Sequence, residues 1–292
     1  MMFLDPGPRR ARRSARPSYD VAARASAGVV IGHYSTSFGW ATRLLHEPVR
    51  SHVRCIYALV RVADELVDDE RQAWSQSQRA RLLDDLQDQT TRALETGGSA
   101  NLIVHAFALT AVEHGIDADL IDPFFDAMRA DLSVQQHDEQ SLARYVHGSA
   151  EVVGLMCLRV FTGNDERSYD QLAEGAQRLG AAFQKINFVR DLHNDQHLLG
   201  RTYFAGVDVS TFTDRERDLL LDDIDADLAA AAETIEHLPP SSRRAVHAAH
   251  ALFAALSARL RATPAADITR ERVRVPDVVK ARIIAQSVVA AR

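Results

Sequence analysis

From about residue 18 to residue 290, apolar side chains return every three or four positions, and the strict alternation of a half-buried strand is nearly absent. That pattern confines the chain to an all-α fold. The spacing predicts helices over 18–32, 37–46, 49–69, 76–96, 100–114, 118–131, 138–162, 168–198, 212–237, 240–263 and 275–290. Helix breakers fall between them, at Gly97-Gly98, Gly115, Gly163-Asn164, Gly200 and Pro239-Pro240. No segment is long or biased enough to be an interdomain linker. One helical bundle over residues 18–292 is expected, preceded by a disordered tail over residues 1–17.

Charge and composition exclude several functions. A formal charge of −6, with no basic stripe interleaved with aromatics, argues against nucleic acid as a partner. The chain has only two cysteines, Cys55 and Cys157, both inside apolar helical patterns, so neither a disulfide framework nor a cysteine metal cluster is expected. A cytoplasmic location follows from that reading. The opening residues carry five arginines without the apolar run of a secretory signal, and no stretch of about 18 apolar residues is present to span a bilayer. Any membrane contact is therefore expected to be peripheral.

Two acidic helices carry the chemistry. In Tyr57-Ala-Leu-Val-Arg-Val-Ala-Asp-Glu-Leu-Val-Asp68, Asp64 and Asp68 lie four residues apart and share one helix face. An apolar stripe of Ile56, Leu59, Val60, Ala63 and Val67 runs along the same helix, so the acidic face must border a core or a cavity. In the second helix Asn187, Asp191 and Asp195 follow at i, i+4 and i+8, and Gln184 extends the row by a turn. Phe183, Ile186, Val189 and Leu192 on that helix are expected to be buried. Such rows of oxygen donors suit a hard cation, Mg²⁺ or Mn²⁺, shared with phosphate oxygens. Arg61, Arg190 and Arg201 stand ready to bond the phosphate oxygens that metal leaves free. An i,i+4 acidic pair such as Asp64 and Asp68 is common on solvated helix faces, so the second row is the more specific signal. His247 and His250 lie three apart with no third ligand nearby in sequence, which reads as a surface pair rather than a zinc site.

These residues resemble the squalene and phytoene synthase family. The likeness rests on Ser37-Phe38 with Arg43-Leu44-Leu45, and on Tyr57-Ala-Leu-Val-Arg61 leading into Asp64-Glu-Leu-Val-Asp68. It continues through Gly148-Ser-Ala-Glu-Val-Val-Gly154, then Gln184-x-x-Asn187-x-x-Arg190-Asp191-x-x-x-Asp195, and Gly200-Arg201-x-Tyr203. The resemblance spans roughly Tyr19 to Lys280. It implies an isoprenoid synthase-type bundle with a central cavity, in which residues 18–292 form a prenyl transferase domain. Metal would be held by Asp64, Asp68, Asn187, Asp191 and Asp195, with Tyr203 also at the reacting centre. Ser37, Phe38, Tyr57, Arg61, Gln184, Arg190, Arg201 and Arg272 match positions near the substrate diphosphates. Phe253 stands near a position where some relatives carry a phosphate-contacting Tyr, and Glu151 interrupts the small-residue helix. The implied reaction is condensation of two allylic diphosphates through a cyclopropyl diphosphate. The absence of a dinucleotide glycine fingerprint favours phytoene, made without NADPH, over a reduced product.

Phe38, Phe183, Leu155 and Met156 are candidates for a closed apolar cavity wall. Geranylgeranyl diphosphate is the leading substrate, and a farnesyl diphosphate-using enzyme making dehydrosqualene or squalene is the alternative. A non-catalytic membrane assembly protein with the same fold would have no need to keep both acidic rows.

Overall fold

The computed structural model describes residues 19–34, 37–68, 73–194, 203–204 and 207–289, and among them it is all-α. The helices in chain order are α1 (Tyr19–Tyr34), α2 (Ser37–Thr42), α3 (Val49–Asp68), α4 (Gln76–Thr96), α5 (Leu102–His114), α6 (Ala118–Ser133) and α7 (Glu139–Val146). A π-helical segment, His147–Glu151, leads into α8 (Val152–Thr162) and α9 (Glu166–Asn194). There follow a 3₁₀ turn (Val209–Thr211), α10 (Asp214–Ile235), α11 (Pro240–Arg261), α12 (Ala265–Ile268) and α13 (Asp277–Val289).

Local chemistry sets several of these boundaries. At the start of α4, Ser75 Oγ accepts from the Gln78 amide and the Gln78 side chain accepts from the Ser75 amide, a reciprocal capping box. Asn101 caps α5 by accepting from the Ile103 and Val104 amides. The helix stops at Gly115, whose φ of 64° is open to glycine at no steric cost.

The expected 138–162 helix is instead two α-helices joined by the π segment. One added residue per turn leaves the apolar spacing almost intact, so periodicity does not reveal it. The expected 37–46 helix ends at Thr42, and α12 falls where no helix is expected. Residues 195–198, the end of the expected 168–198 helix, lie outside the described residues, as do residues 1–17.

A core centred on Phe107, Phe124, Phe125, Ile186 and Ile224 holds the bundle together. Within it, α9 packs against α8, the π segment, α10 and α11, while α3 packs against α1, α4, α5, α6 and α8. The two acidic helices thus stand among the most enclosed elements. At two glycines the backbones approach too closely for any side chain: a Cβ on Gly154 would lie 2.7 Å from the Ala176 carbonyl oxygen, and one on Gly180 2.6 Å from that of Ala150. These contacts lock α8 and the π segment against α9.

Candidate active site

Of the apolar stripe on α3, Ile56, Leu59, Ala63 and Val67 are buried, whereas Val60 is half-buried and faces a cavity. On α9, Ile186, Val189 and Leu192 are buried, and Phe183 faces the same cavity. The exceptions to the core pattern therefore mark the cavity wall. It has a volume of about 350 Å³, within the range of small-molecule sites. Its lining is apolar, with Leu158, Phe161, Leu172, Leu179, Ile235, Leu238 and Val246 prominent, and small residues such as Ala41, Ala245 and Ala249 widen it. Leu155 and Met156, candidates for this wall, are buried in the core instead: α8 turns Val153, Gly154, Cys157, Leu158 and Phe161 to the cavity, and the helical period puts residues 155 and 156 on the opposite face. Cys157 does line it, with its thiol pushed up to about 12 by burial, and is thereby kept from acting as a nucleophile.

Tyr57 on α3 and Gln184 and Asn187 on α9 line the cavity too. One turn further along their helices stand Asp64, four residues after Val60, and Asp191, four residues after Asn187. Both oxygen rows therefore lie on helices that line this cavity. Asp64 is bonded to Arg61, which also pairs with Glu65. A third of the Asp64 side chain is open, yet its carboxyl is raised to about 7, first by burial and then by the charge of Asp68, with Asp131 adding to it. Crowded carboxylates of this kind are what a divalent cation relieves. Carboxylate and amide oxygens without nitrogen or sulfur donors fit Mg²⁺ or Mn²⁺.

At the α9 wall, Arg190 and Arg272 converge on Asp191. Arg190 Nε donates to Asp191 Oδ1 at 3.0 Å, and Arg272 Nε lies 2.7 Å from the same oxygen. The two arginines, with Arg274 and Lys280, border a second cavity of about 270 Å³. Phe253 borders both cavities and stacks on Phe183, ring centroids 3.8 Å apart. Burial, followed by the neighbouring charge of Arg190, lowers the pKa of Arg272, so this pocket is short of negative charge. A diphosphate would supply it.

Tyr203 is buried and stacks on Phe188, centroids 3.9 Å apart, next to Asn187. Its ring also meets Tyr145 at 5.5 Å, and Tyr145 donates to Asp131 Oδ2 at 2.9 Å. A chain of contacts thus runs from Asp131, whose charge acts on Asp64, through Tyr145 to Tyr203 beside the α9 row. Neither Asp131 nor Tyr145 lies in an acidic row, and only the packing of α6 and α7 brings them here. Arg274 and Lys280 were equally silent in the sequence. Asp195 and Arg201 lie outside the described residues, as do the side chains of Ser37 and Phe38. Glu151 bonds His147 Nδ1 at 2.9 Å within the π segment. His250 is half-buried rather than at the surface, its Nε2 2.9 Å from the Leu228 carbonyl oxygen, and His247 is exposed, so the pair serves helix packing.

An all-α bundle closed around an apolar cavity, with oxygen rows and arginines at one end, defines a prenyltransferase-type enzyme of isoprenoid synthase fold. The chain belongs to the squalene/phytoene synthase family, whose pattern matches residues 31–278. It is 26% identical to a phytoene synthase of Pseudescherichia vulneris over 78% of this chain and 79% of that protein. It is 31% identical to a bifunctional lycopene cyclase/phytoene synthase of Blakeslea trispora over 58% of this chain, a match spanning only 30% of that longer protein. Its fold matches the crystal structure of a dehydrosqualene synthase with a TM-score of 0.81 at 19% identity, over 94% of this chain and 98% of the other.

Proposed function

We propose that the chain joins two geranylgeranyl diphosphates head to head, giving phytoene by way of a cyclopropyl diphosphate. The observation that carries this reading is the apolar cavity lined by both helices that carry the oxygen rows. In this reading Asp64, Asp68, Asn187, Asp191 and Asp195 hold Mg²⁺ or Mn²⁺. Bound there, the metal would supply Lewis-acid stabilisation of the leaving diphosphate.

The chain's own residues do the rest. Arg61, Arg190, Arg201 and Arg272 bind the diphosphate oxygens, and Gln184 and Tyr57 orient the substrate where the cavity turns polar. As the allylic C–O bond breaks, the electron pair leaves with the diphosphate. The aromatic faces of Tyr57, Phe183 and Phe253 then border an allylic cation, and their apolar surroundings keep out the water that would quench it. The double bond of the second substrate attacks that cation. Loss of a proton closes the cyclopropane, and a second ionisation, rearrangement and proton loss give the polyene. No reductant is needed, so NADPH is not a cofactor in this scheme.

Substrates and product with long apolar tails imply a peripheral contact with a membrane, and no described helix is long and apolar enough to cross one. The farnesyl-using alternative draws support from the fold shared with a dehydrosqualene synthase. Incubating the protein with each diphosphate and Mg²⁺, without and then with NADPH, and identifying the hydrocarbon tests both. Phytoene formed from geranylgeranyl diphosphate without NADPH is the expected result. Turnover of farnesyl diphosphate alone would replace this reading with the second.

A further inference from the structure

A cluster outside the active site has a ligand set of its own. His52 on α3, together with Glu113 and His114 at the end of α5, brings two imidazoles and a carboxylate to one point, with donor atoms all within 4.8 Å of one another. His52 precedes Asp64 by 12 residues, about 18 Å along the helix, so the cluster is separate from the oxygen rows.

The donors are arranged as metal ligands require. His52 Nδ1 lies 3.2 Å from the Thr110 hydroxyl and 3.5 Å from Arg24 Nη1, which can only donate, so Nδ1 accepts there. The proton is then on Nε2, which faces Glu113 Oε1 3.5 Å away; a cation taking that place would shift it to Nδ1, where the Thr110 hydroxyl, itself donating to the Ala106 carbonyl at 3.1 Å, can accept it. The His114 ring meets that of His52 edge-on, centroids 4.6 Å apart. Both of its ring nitrogens are shut off from solvent and have no hydrogen-bond partner. An imidazole with two orphaned nitrogens is costly to bury. Arg24 bonds the other Glu113 oxygen, Oε2, at 3.4 Å and lies 3.5 Å from His52 Nδ1, on the side away from the facing donors. It holds the carboxylate in place while leaving Oε1 open.

We propose that His52, Glu113 and His114 form a binding site for a zinc-class divalent cation that ties α3 to the end of α5. Two imidazoles and one carboxylate select Zn²⁺ or Co²⁺ over Mg²⁺, and three protein ligands leave a fourth position for water. Closing the donors to the spacing of a tetrahedral ion asks most movement of Glu113, whose side chain is half exposed.

The test is titration of the tag-free, full-length protein with Co²⁺ in the presence of excess Mg²⁺, the ion proposed above for the oxygen rows. The expected result is one equivalent with the visible absorption of a tetrahedral nitrogen–oxygen site, displaced by Zn²⁺. Glu113→Gln and His114→Gln should each weaken Co²⁺ binding at least about tenfold, and Zn²⁺ should raise the unfolding temperature of the wild type but not of His114→Gln. His52 is almost fully buried and its replacement could unfold the chain, so the half-exposed end of α5 carries the test. Absence of Co²⁺ binding under Mg²⁺, or binding unchanged in both folded variants, would overturn the proposal.

Discussion

Asp64 shows most plainly what a single residue contributes. Its folded-state pKa of about 7 lies above the ~3.9 of an unfolded aspartate, so the folded chain keeps a proton that the unfolded chain has lost. Stability is therefore lost as pH rises from about 4 to about 7, and stays lost above. In metal-free protein at pH 8, Asp64→Asn should raise the unfolding temperature. Because a third of the side chain is open to solvent screening, the gain should be modest, roughly 2–4 °C. It should vanish below about pH 4, as calorimetry in the presence of EDTA would record. The same substitution should lower turnover at least about 100-fold, since it removes a group proposed to hold the leaving-group metal. That Asp64 shares a face with Asp68, and Asn187 with Asp191, was legible from spacing alone. Asp131 and Tyr145 were not, because their hydrogen bond depends on how α6 meets α7, and no periodicity encodes that.

At the scale of the element, the π segment and the glycine contacts determine the shape of the cavity. Helix existence and approximate extent follow from apolar period and from caps such as Ser75 and Asn101. The π segment does not, because a single wide turn barely disturbs that period, and which face of α8 meets the cavity, that of Val153 and Cys157 rather than that of Leu155 and Met156, is decided by packing. The contact between Gly180 and the Ala150 backbone makes a second prediction. A methyl group there would meet a carbonyl oxygen that cannot swing aside, so Gly180→Ala should cost about 1–3 kcal/mol, measured as a lower urea midpoint with an unchanged slope. An unchanged midpoint would mean that α9 and the π segment separate more freely than their packing indicates.

For the molecule as a whole, the fold class was legible because a sustained 3.6-residue period admits few architectures, and the family likeness rested on motifs whose order spans the chain. Cavity depth was not, since it is set by where side chains from α2, α8, α9, α10 and α11 meet. The small residues on that wall suit a long tail, and filling one of them should shorten the accepted substrate. Ala249→Phe should shift the ratio of kcat/KM for farnesyl over geranylgeranyl diphosphate upward at least about tenfold in competition assays. The central claim is that the two acidic helices form one metal-dependent diphosphate centre. It is tested most directly by calorimetric titration of a non-ionisable thiodiphosphate analogue of the substrate into wild type, Asp64→Asn and Asp191→Asn. Tight binding is expected only with Mg²⁺ present, with a loss of at least about tenfold in each variant. Equal affinity without Mg²⁺, or full affinity in either folded variant, would contradict it.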